Sequence, residues 1–416
     1  MLKPHFRICL AAFFIDFSAM VTMTVLPFYV YNQIGGGAAM SGIIGGTRAA
    51  AYGFICLVSA GFVSRAKKSL TWAICGVAAF AVFSCAMLLS RDPYVCGIVA
   101  TLAVAGLAFV WPALHSWVGG EPDPKQRARG MSWFNIAWSS GFAVSPLIAG
   151  PLYDYDYRLP FLLLFVVCAL TLLLIKSLPD EKEYFGTVSA QVREAHTDHD
   201  RASEAVLYAA WCAALMGSLL ANVTRTVYPK HIDELVAAGE LRFFFERTPL
   251  PILTAHAATK YSWLAFALGL ATALSFLVLG RTHRWQHKFQ VLLWLQVGTA
   301  AAFWVLANAR SLAVMMACFV VAGAFAGVSF FSGVYYGMAD PAHKHRRSAI
   351  NEGAVGVGAF GGSIVFGYLA GRYGMSMPFH FAPILVAVGV LVQLALLRYG
   401  AEKSRRKNGA PDAARL

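Results

Sequence analysis

The sequence predicts an all-α membrane protein in which twelve transmembrane helices form two pseudo-symmetric six-helix bundles. Twelve stretches of mostly apolar residues follow one another along the 416-residue chain, and charged residues are rare inside them. A stretch of about 20 apolar residues forms a helix roughly 30 Å long, which crosses the hydrocarbon core of a bilayer. Hydrophobic residues make up 58% of the chain and charged residues only 13%, a composition that excludes an ordinary soluble domain.

The order of these stretches defines the domain organisation. The predicted spans cover residues 9–31, 39–63, 70–89, 94–118, 132–153, 159–178, 205–228, 261–279, 289–308, 312–338, 348–368 and 378–399. A polar segment of mixed charge, 179–204, separates six spans from six and is predicted to be an inner linker. The first bundle therefore covers 1–178, the second bundle covers 205–400, and 401–416 form a basic tail.

A weak internal repeat supports two matched bundles. When the second half is aligned with the first, Gly141 corresponds to Gly358 and the segment 24–27 corresponds to 226–229. The two alignments differ in offset, and the difference is taken up mainly by a longer outer loop, 229–260, in which charged and apolar residues interleave. We expect this loop to pack over the bundle, as an ordered loop or as short interfacial helices; a substrate lid is the alternative. Duplicated bundles are typical of alternating-access transporters.

The placement of positive charge predicts the orientation. The net charge is +13, and of the 34 Lys and Arg residues 24 fall in segments predicted to lie inside, eight outside, and two, Arg48 and Arg225, within spans. Positive residues concentrate on the cytoplasmic side of membrane proteins. We therefore predict a multi-pass protein of the cell membrane with both termini in the cytoplasm. The basic balance reflects topology and predicts no nucleic-acid partner.

Several kinds of chemistry have no sequence signature. There is no GxxxxGK[ST] motif for ATP and no HExxH motif for zinc. The eight Cys residues lie in or beside apolar spans, without CxxC spacing, and are interpreted as small buried hydrophobic residues. We expect no enzyme activity, no metal site and no cofactor, and we predict a monomer.

The charged residues inside the spans are the first candidates for function. Asp16 lies in span 1 and Arg48 in span 2. An aspartate in the bilayer interior is costly, so it should face the bundle interior or water, where it can exchange a proton or serve as a structural carboxylate. Spans 1 and 2 are consecutive, so Arg48 could pair with Asp16 and keep it ionised. Alternatively, Arg48 binds an anionic group of the solute.

Aromatic and amide groups cluster at the ends of spans 4 and 5. Trp111 and His115 share a face of span 4, and Asn135 and Trp138 share a face of span 5. Such groups facing a cavity suit an amphipathic organic solute. The alternatives are a hydrogen-bonded histidine near the inner surface and aromatic residues of the core or membrane interface.

The second half supplies a further set of candidates for solute binding or coupling. They are Asn222 and Arg225 on span 7, Ser332 and Tyr335 on span 10, and Asn351 and Glu352 on span 11. Arg225 lies near the outer end of its span, where its guanidinium could instead extend to the lipid headgroups. Glu352 is expected to form an inner-gate salt bridge, or to carry a proton.

Two local motifs then suggest a family. The run from Gly141 to Gly150, with Pro146 inside it, is similar to the GxxxGPxxGG motif of proton-coupled drug antiporters; Ser145 and Ala149 replace two glycines. The run from Gly61 to Lys68, including Arg65, is similar to the loop motif GxLaDRxGRR without its aspartate. With twelve spans and a six-plus-six repeat, the chain resembles the major facilitator superfamily. The resemblance implies gating or helix-packing roles for Gly61, Arg65, Gly141, Pro146 and Gly150. Arg347, just before span 11, is a further candidate for such a role.

The first functional hypothesis is secondary active transport of a small organic solute by alternating access, with proton-coupled export. An uptake symporter or a facilitator for an anionic solute is the runner-up, because Arg48 and Arg225 occupy one half each. A membrane receptor or enzyme on a transporter scaffold is the alternative from another class, since fold does not fix function.

Overall fold

The computed structural model describes residues 3–65, 69–119, 121, 124–180, 184, 202–242, 257–282, 285, 288–338 and 344–407. Within these residues the chain forms twelve long helices, as the sequence predicts. Most of the predicted linker and residues 408–416 of the predicted tail lie outside the described part.

The long helices are numbered α1 to α12 in chain order. They are α1 Pro4–Asn32, α2 Ala38–Arg65, α3 Ser69–Ala86, α4 Pro93–Gly119, α5 Pro124–Tyr155, α6 Leu159–Lys176, α7 Ala202–Thr226, α8 Ala257–Arg281, α9 Phe289–Leu306, α10 Leu312–Met338, α11 Lys344–Tyr373 and α12 Met377–Lys407. A short outer helix, Tyr228–Ala237, follows α7. Helix α5 starts before its predicted span, and α12 continues into the predicted basic tail, because a helix extends beyond the hydrocarbon core into the polar zone.

Ten of the described helical segments are long and apolar enough to cross a membrane on composition alone, and neither α2 nor α5 is among them. Both contain 28 residues or more and therefore have the length to cross. The hydropathy of α5 is lowered by glycines, hydroxyl residues and basic residues near its start. Small residues of this kind allow close helix contact in a membrane.

Helix packing repeats between the two halves of the chain. In the first half α1 packs against α5 and α6, α3 against α4 and α6, and α2 against α4. Each pairing recurs six helices later, in α7 with α11 and α12, α9 with α10 and α12, and α8 with α10. The fold is therefore pseudo-symmetric, as predicted.

The sequence repeat extends to individual contacts. Gly141 of α5 lies against the carbonyl oxygen of Phe13, and Gly358 of α11 lies in the same way against that of Leu215. The two glycines are related by one of the alignments found in the sequence, and the two carbonyls are related by the other. Absence of a side chain at the glycine positions lets the helices approach to backbone contact.

Two matched contacts join the halves. Gly150 of α5 packs against Ala258 of α8, where a Cβ would stand 2.6 Å from the carbonyl oxygen. Gly367 of α11 packs against Gly42 of α2, where a Cβ would stand 2.7 Å from the Cα atom. The helix pairs α5–α8 and α2–α11 thus form the seam between the halves.

We call the end of the bundle that contains the α1–α2 and α5–α6 connections the outer end, following the orientation predicted from charge. At this end Thr226 of α7 accepts hydrogen bonds at its carbonyl oxygen from Tyr31, at 2.7 Å, and from Ser41, at 3.2 Å. Asp154 of α5 accepts two hydrogen bonds from Thr259 of α8. The two halves are therefore closed against each other at the outer end.

The start of the long outer loop is ordered against the bundle. Tyr228, Ile232 and Leu235 of the short outer helix are buried. Further along, the Arg242 amide donates to the Arg310 carbonyl at 2.7 Å, and Arg310 forms an ion pair with Glu240. The predicted helical segment over the outer surface is thus present in part, while residues 243–256 lie outside the described residues.

Candidate functional site

Several ionisable side chains of the membrane interior face a cleft between the halves. Asp16 of α1, Tyr52 of α2, His115 of α4, Arg225 of α7 and Glu352 of α11 are each surrounded by protein, yet each keeps accessible surface. Side chains with both properties line an opening inside the bundle. Such a position lets water solvate groups that would be costly to place in lipid.

Asp16 interacts electrostatically with Arg225, across the seam between the halves. Of the two roles considered for Arg48, the pair with Asp16 is not found among the ion pairs of the described residues. Arg48 is 9% exposed, has Cys96 of α4 as its electrostatic neighbour, and its Nε has no hydrogen-bond partner within the described residues. The reason is packing: α1 lies mainly against α5 and α6, whereas α2 lies against α4 and α11, so consecutive helices are not close neighbours here.

Arg225 points into the protein and not to the headgroups, which corrects the second expectation for this residue. Its guanidinium carbon lies 5.0 Å from the centre of the Phe142 ring of α5, a cation–π contact between the halves. Phe142 in turn contacts Gly269 of α8, so the ring belongs to the seam. The guanidinium forms none of the ion pairs or hydrogen bonds among the residues described.

Glu352 faces the opposite half. It interacts electrostatically with Tyr52 and Cys56 of α2, and Tyr52 also interacts with Asp16. No ion pair within the described part of the chain includes Glu352, so the expected salt bridge at the inner gate is not found there. Tyr52 was not predicted as a site residue. The only sequence signal for Tyr52 is that a phenol side chain interrupts a run of small residues, 49–53.

The predicted aromatic cluster exists and crosses the seam. Trp111 lies 6.0 Å from His115 and 6.4 Å from Trp138, measured between ring centres. Trp138 lies 5.6 Å from Phe276 of α8, in the other half. The Trp138 indole N–H donates to Asn135 Oδ1 at 3.0 Å, and Asn135 is exposed. This hydrogen bond orients the indole ring beside the cleft.

Other candidates lie elsewhere. The Asn222 amide donates to the Ser218 carbonyl of its own helix at 2.9 Å, and the Ser332 hydroxyl donates to the Val328 carbonyl at 2.7 Å. Ser332 and Asn351 are almost fully buried, and their roles in solute binding or coupling stay predictions. Asn351 packs on Gly333 within the second half. Tyr335 packs edge-on against Trp285.

The predicted packing residues are partly described. Gly141 and Gly150 form the close helix contacts given above. Pro146 lies buried inside α5, and the neighbouring Ser145 hydroxyl donates to the Phe17 carbonyl of α1 at 2.7 Å. Gly61 lies in α2 and Arg65 ends it, but their side-chain surroundings lie outside the described residues. Arg347 is in the first turn of α11.

One cleft, closed at its outer end, is lined by a guanidinium, two carboxyl groups, a phenol and the aromatic cluster around Trp138. The carboxyl groups come from both halves and the guanidinium comes from the second, so the separation of Asp16 from Arg225 changes when the halves move against each other. Twelve helices in two matched sets around such a cleft define a polytopic membrane transporter.

The chain belongs to the Major Facilitator Superfamily. The model of that family matches residues 8–235 and 212–415, which together cover nearly the whole sequence. No curated protein matches the sequence.

Solved structures share the fold. The chain is similar to the nucleoside transporter NupG, with a TM-score of 0.73 and 11% identity over 96% of this chain and 100% of that one. A POT family transporter in complex with 5-aminolevulinic acid matches with a TM-score of 0.74 and 14% identity, over 95% of this chain and 96% of that one. A bacterial homolog of the human lysosomal transporter Spinster, in an inward-facing conformation, matches with a TM-score of 0.68 and 14% identity, over 97% of this chain and 98% of that one. At these identities the likeness shows the fold alone.

Proposed function

We propose that this protein exports a small organic solute across the cell membrane by alternating access, and that proton binding at Asp16 drives the transport. The arrangement that supports the proposal is a carboxyl group and a guanidinium that face each other across the seam, Asp16 from the first half and Arg225 from the second. Binding or loss of a proton at Asp16 changes the attraction between the halves. A coupling residue needs this link between charge and conformation.

The outer closure supports a cycle of two states. Hydrogen bonds from Tyr31, Ser41 and Thr259 join the halves at the outer end. The glycine contacts of the seam also join the halves, and breaking both sets of contacts leaves the internal helix contacts of each bundle in place. Rocking of one bundle against the other then opens the cleft to the opposite side.

The test is solute counterflow in proteoliposomes containing the full chain, with and without a pH gradient. The panel should include an aromatic cation, an aromatic anion, a zwitterion and a nucleoside, because the structural neighbours are named for different solutes. The proposal expects exchange of at least one solute and its accumulation against a gradient only when a pH difference is imposed. Exchange that never responds to pH would leave a facilitator, and no exchange at all would remove the transport proposal.

Proton symport of an anionic solute is the second candidate, and the position of Arg225 favours it. An anion at Arg225 would replace Asp16 as its electrostatic partner, and a protonated Asp16 would no longer compete. Anion and proton would then bind together, which is the linkage of a symporter. Solute-driven alkalinisation outside right-side-out vesicles would support symport, whereas solute entering as protons leave would support antiport.

A further inference from the structure

Arg225 is a cation without a protein anion in contact with it among the residues that the structure describes. Its side chain is partly exposed to the cleft, its guanidinium stacks on Phe142, and no ion pair within the described residues includes it. Asp16 is close enough to interact electrostatically but does not form an ion pair with it. A guanidinium presents a planar fork of N–H donors that matches a carboxylate or another planar anion.

An aromatic surface lies one helical turn away on the inner side. Trp138 precedes Phe142 by four positions on α5, so both project from the same face and are separated by about 6 Å along the axis. The Trp138 ring is oriented by its hydrogen bond to Asn135, and Phe276 stands 5.6 Å from it in the other half. A flat ring bound here would therefore lie beside Trp138, within reach of Arg225 for any group a few bonds away.

We infer that the cleft binds a solute in which a carboxylate is attached through a short linker to an aromatic ring. The carboxylate pairs with Arg225, and the ring packs against Trp138 and Phe276. This inference rests on the proposed function, in that it takes the cleft as the solute pathway. It does not depend on the direction of transport. Arg225 disfavours a purely cationic aromatic solute, because the like charge would stand against the guanidinium.

The experiment measures binding of three probes to the full-length protein in detergent by isothermal titration calorimetry. The probes are 3-phenylpropionate, phenethylamine, which keeps the ring but reverses the charge, and propionate, which keeps the carboxylate but lacks the ring. The inference expects 3-phenylpropionate to bind at least about tenfold more tightly than either of the others, since it alone satisfies both subsites.

Variants assign the two subsites. Arg225→Gln should weaken 3-phenylpropionate at least about tenfold, and Arg225→Lys should fall between, because it keeps the charge but loses the fork. Trp138→Ala should weaken 3-phenylpropionate without changing propionate. Arg310→Gln is the matched control, since Arg310 lies at the outer surface in an ion pair with Glu240, and it should leave binding unchanged. Monodispersity in size-exclusion chromatography verifies that each variant is folded.

Three results would overturn the inference: phenethylamine as the tightest probe, no effect of Arg225→Gln, or no binding of any probe. Each of these results can be distinguished from a failure of the proposed transport function. If a cationic solute exchanges in proteoliposomes with a response to pH, the transport proposal stands while the carboxylate class is rejected. If no solute of the counterflow panel exchanges while 3-phenylpropionate still binds through Arg225, the transport proposal is rejected and the binding site remains.

Discussion

Asp154 of α5 accepts two hydrogen bonds from Thr259 of α8, from the amide nitrogen at 2.7 Å and from the hydroxyl at 2.6 Å. The acceptor is a carboxylate and the donor lies in the first turn of α8, which begins at Ala257. A negative charge at a helix N-terminus is stabilised by the helix dipole and by the free amide groups there. This contact joins the outer ends of the two halves and favours their closure.

Asp154→Ala should therefore shift the protein toward opening at the outer end. Hydrogen bonds to a charged group contribute about 1.5–3 kcal/mol, so we expect at least about a tenfold rise in the outward-open population. The measurement is the labelling rate, with a membrane-impermeant thiol reagent, of a cysteine introduced at Ser262 in a cysteine-free background.

Asp156→Ala is the control for this experiment. Asp156 lies two positions away, and its carboxylate accepts a hydrogen bond from the Arg158 amide of its own loop, at 2.8 Å. It does not join the halves, so its loss should leave the labelling rate unchanged. Equal acceleration by both substitutions would show that Asp154 acts through the loop and not through α8.

Asp16→Asn should separate exchange from energy coupling. The amide keeps the size and polarity of the side chain but cannot bind a proton or attract Arg225 as an anion. We expect counterflow to persist within about threefold, while accumulation driven by a pH gradient falls at least about tenfold. Transport by the variant should also lose the pH dependence that the wild-type protein shows.

Asp92→Asn is the matched control, since Asp92 caps the start of α4 by accepting from the Tyr94 and Val95 amides at 2.8 and 3.0 Å. An asparagine can cap a helix as well. Gradient-driven accumulation should therefore survive in this variant. Accumulation that also survives in Asp16→Asn would remove Asp16 from the coupling role.

The second half contains a closed pair of amides inside the membrane. Gln296 of α9 donates to Gln393 of α12 at 3.0 Å, Gln393 donates back at 2.7 Å, and both side chains are fully buried. Gln296→Leu leaves the second amide without its partner and should cost about 1–3 kcal/mol in stability. The double variant with Gln393→Leu should recover most of that loss, because no unsatisfied group remains. Thermal unfolding in detergent, followed by circular dichroism, measures both effects.

The fold could be predicted from sequence because it depends on features that are continuous along the chain. Each long apolar stretch specifies a helix by itself, and the twelve predicted spans all correspond to helices. The two alignments of the sequence repeat also carried real contacts, since Phe13 with Gly141 and Leu215 with Gly358 are equivalent pairs. The sequence therefore contained the symmetry of packing as well as the number of helices.

The site was predicted only in part, because which helices face each other is a property of the assembled bundle. Asp16 is predicted to face the bundle interior, but the charged group nearest to it in electrostatic terms is Arg225 on α7, in the other half of the sequence, and not Arg48 on the next helix. Side-chain direction was also inaccessible. Arg225 lies near the end of α7, but its guanidinium contacts the Phe142 ring of the opposite half.

Two adjacent glycines of α11 provide a strict test of the repeated helix contact. Gly362 lies against the Leu219 carbonyl of α7, so that a Cβ would overlap the oxygen, whereas no atom lies within 4 Å of the corresponding point at Gly361. Gly362→Ala should cost about 1–3 kcal/mol, because a backbone oxygen cannot move aside without shifting the helix. Gly361→Ala should be neutral or slightly stabilising, since alanine is the better helix former. The measurement is thermal unfolding in detergent. Because both substitutions change a glycine to an alanine at nearly the same membrane depth, they differ only in local packing. Equal effects of the two substitutions would contradict close packing of α7 on α11.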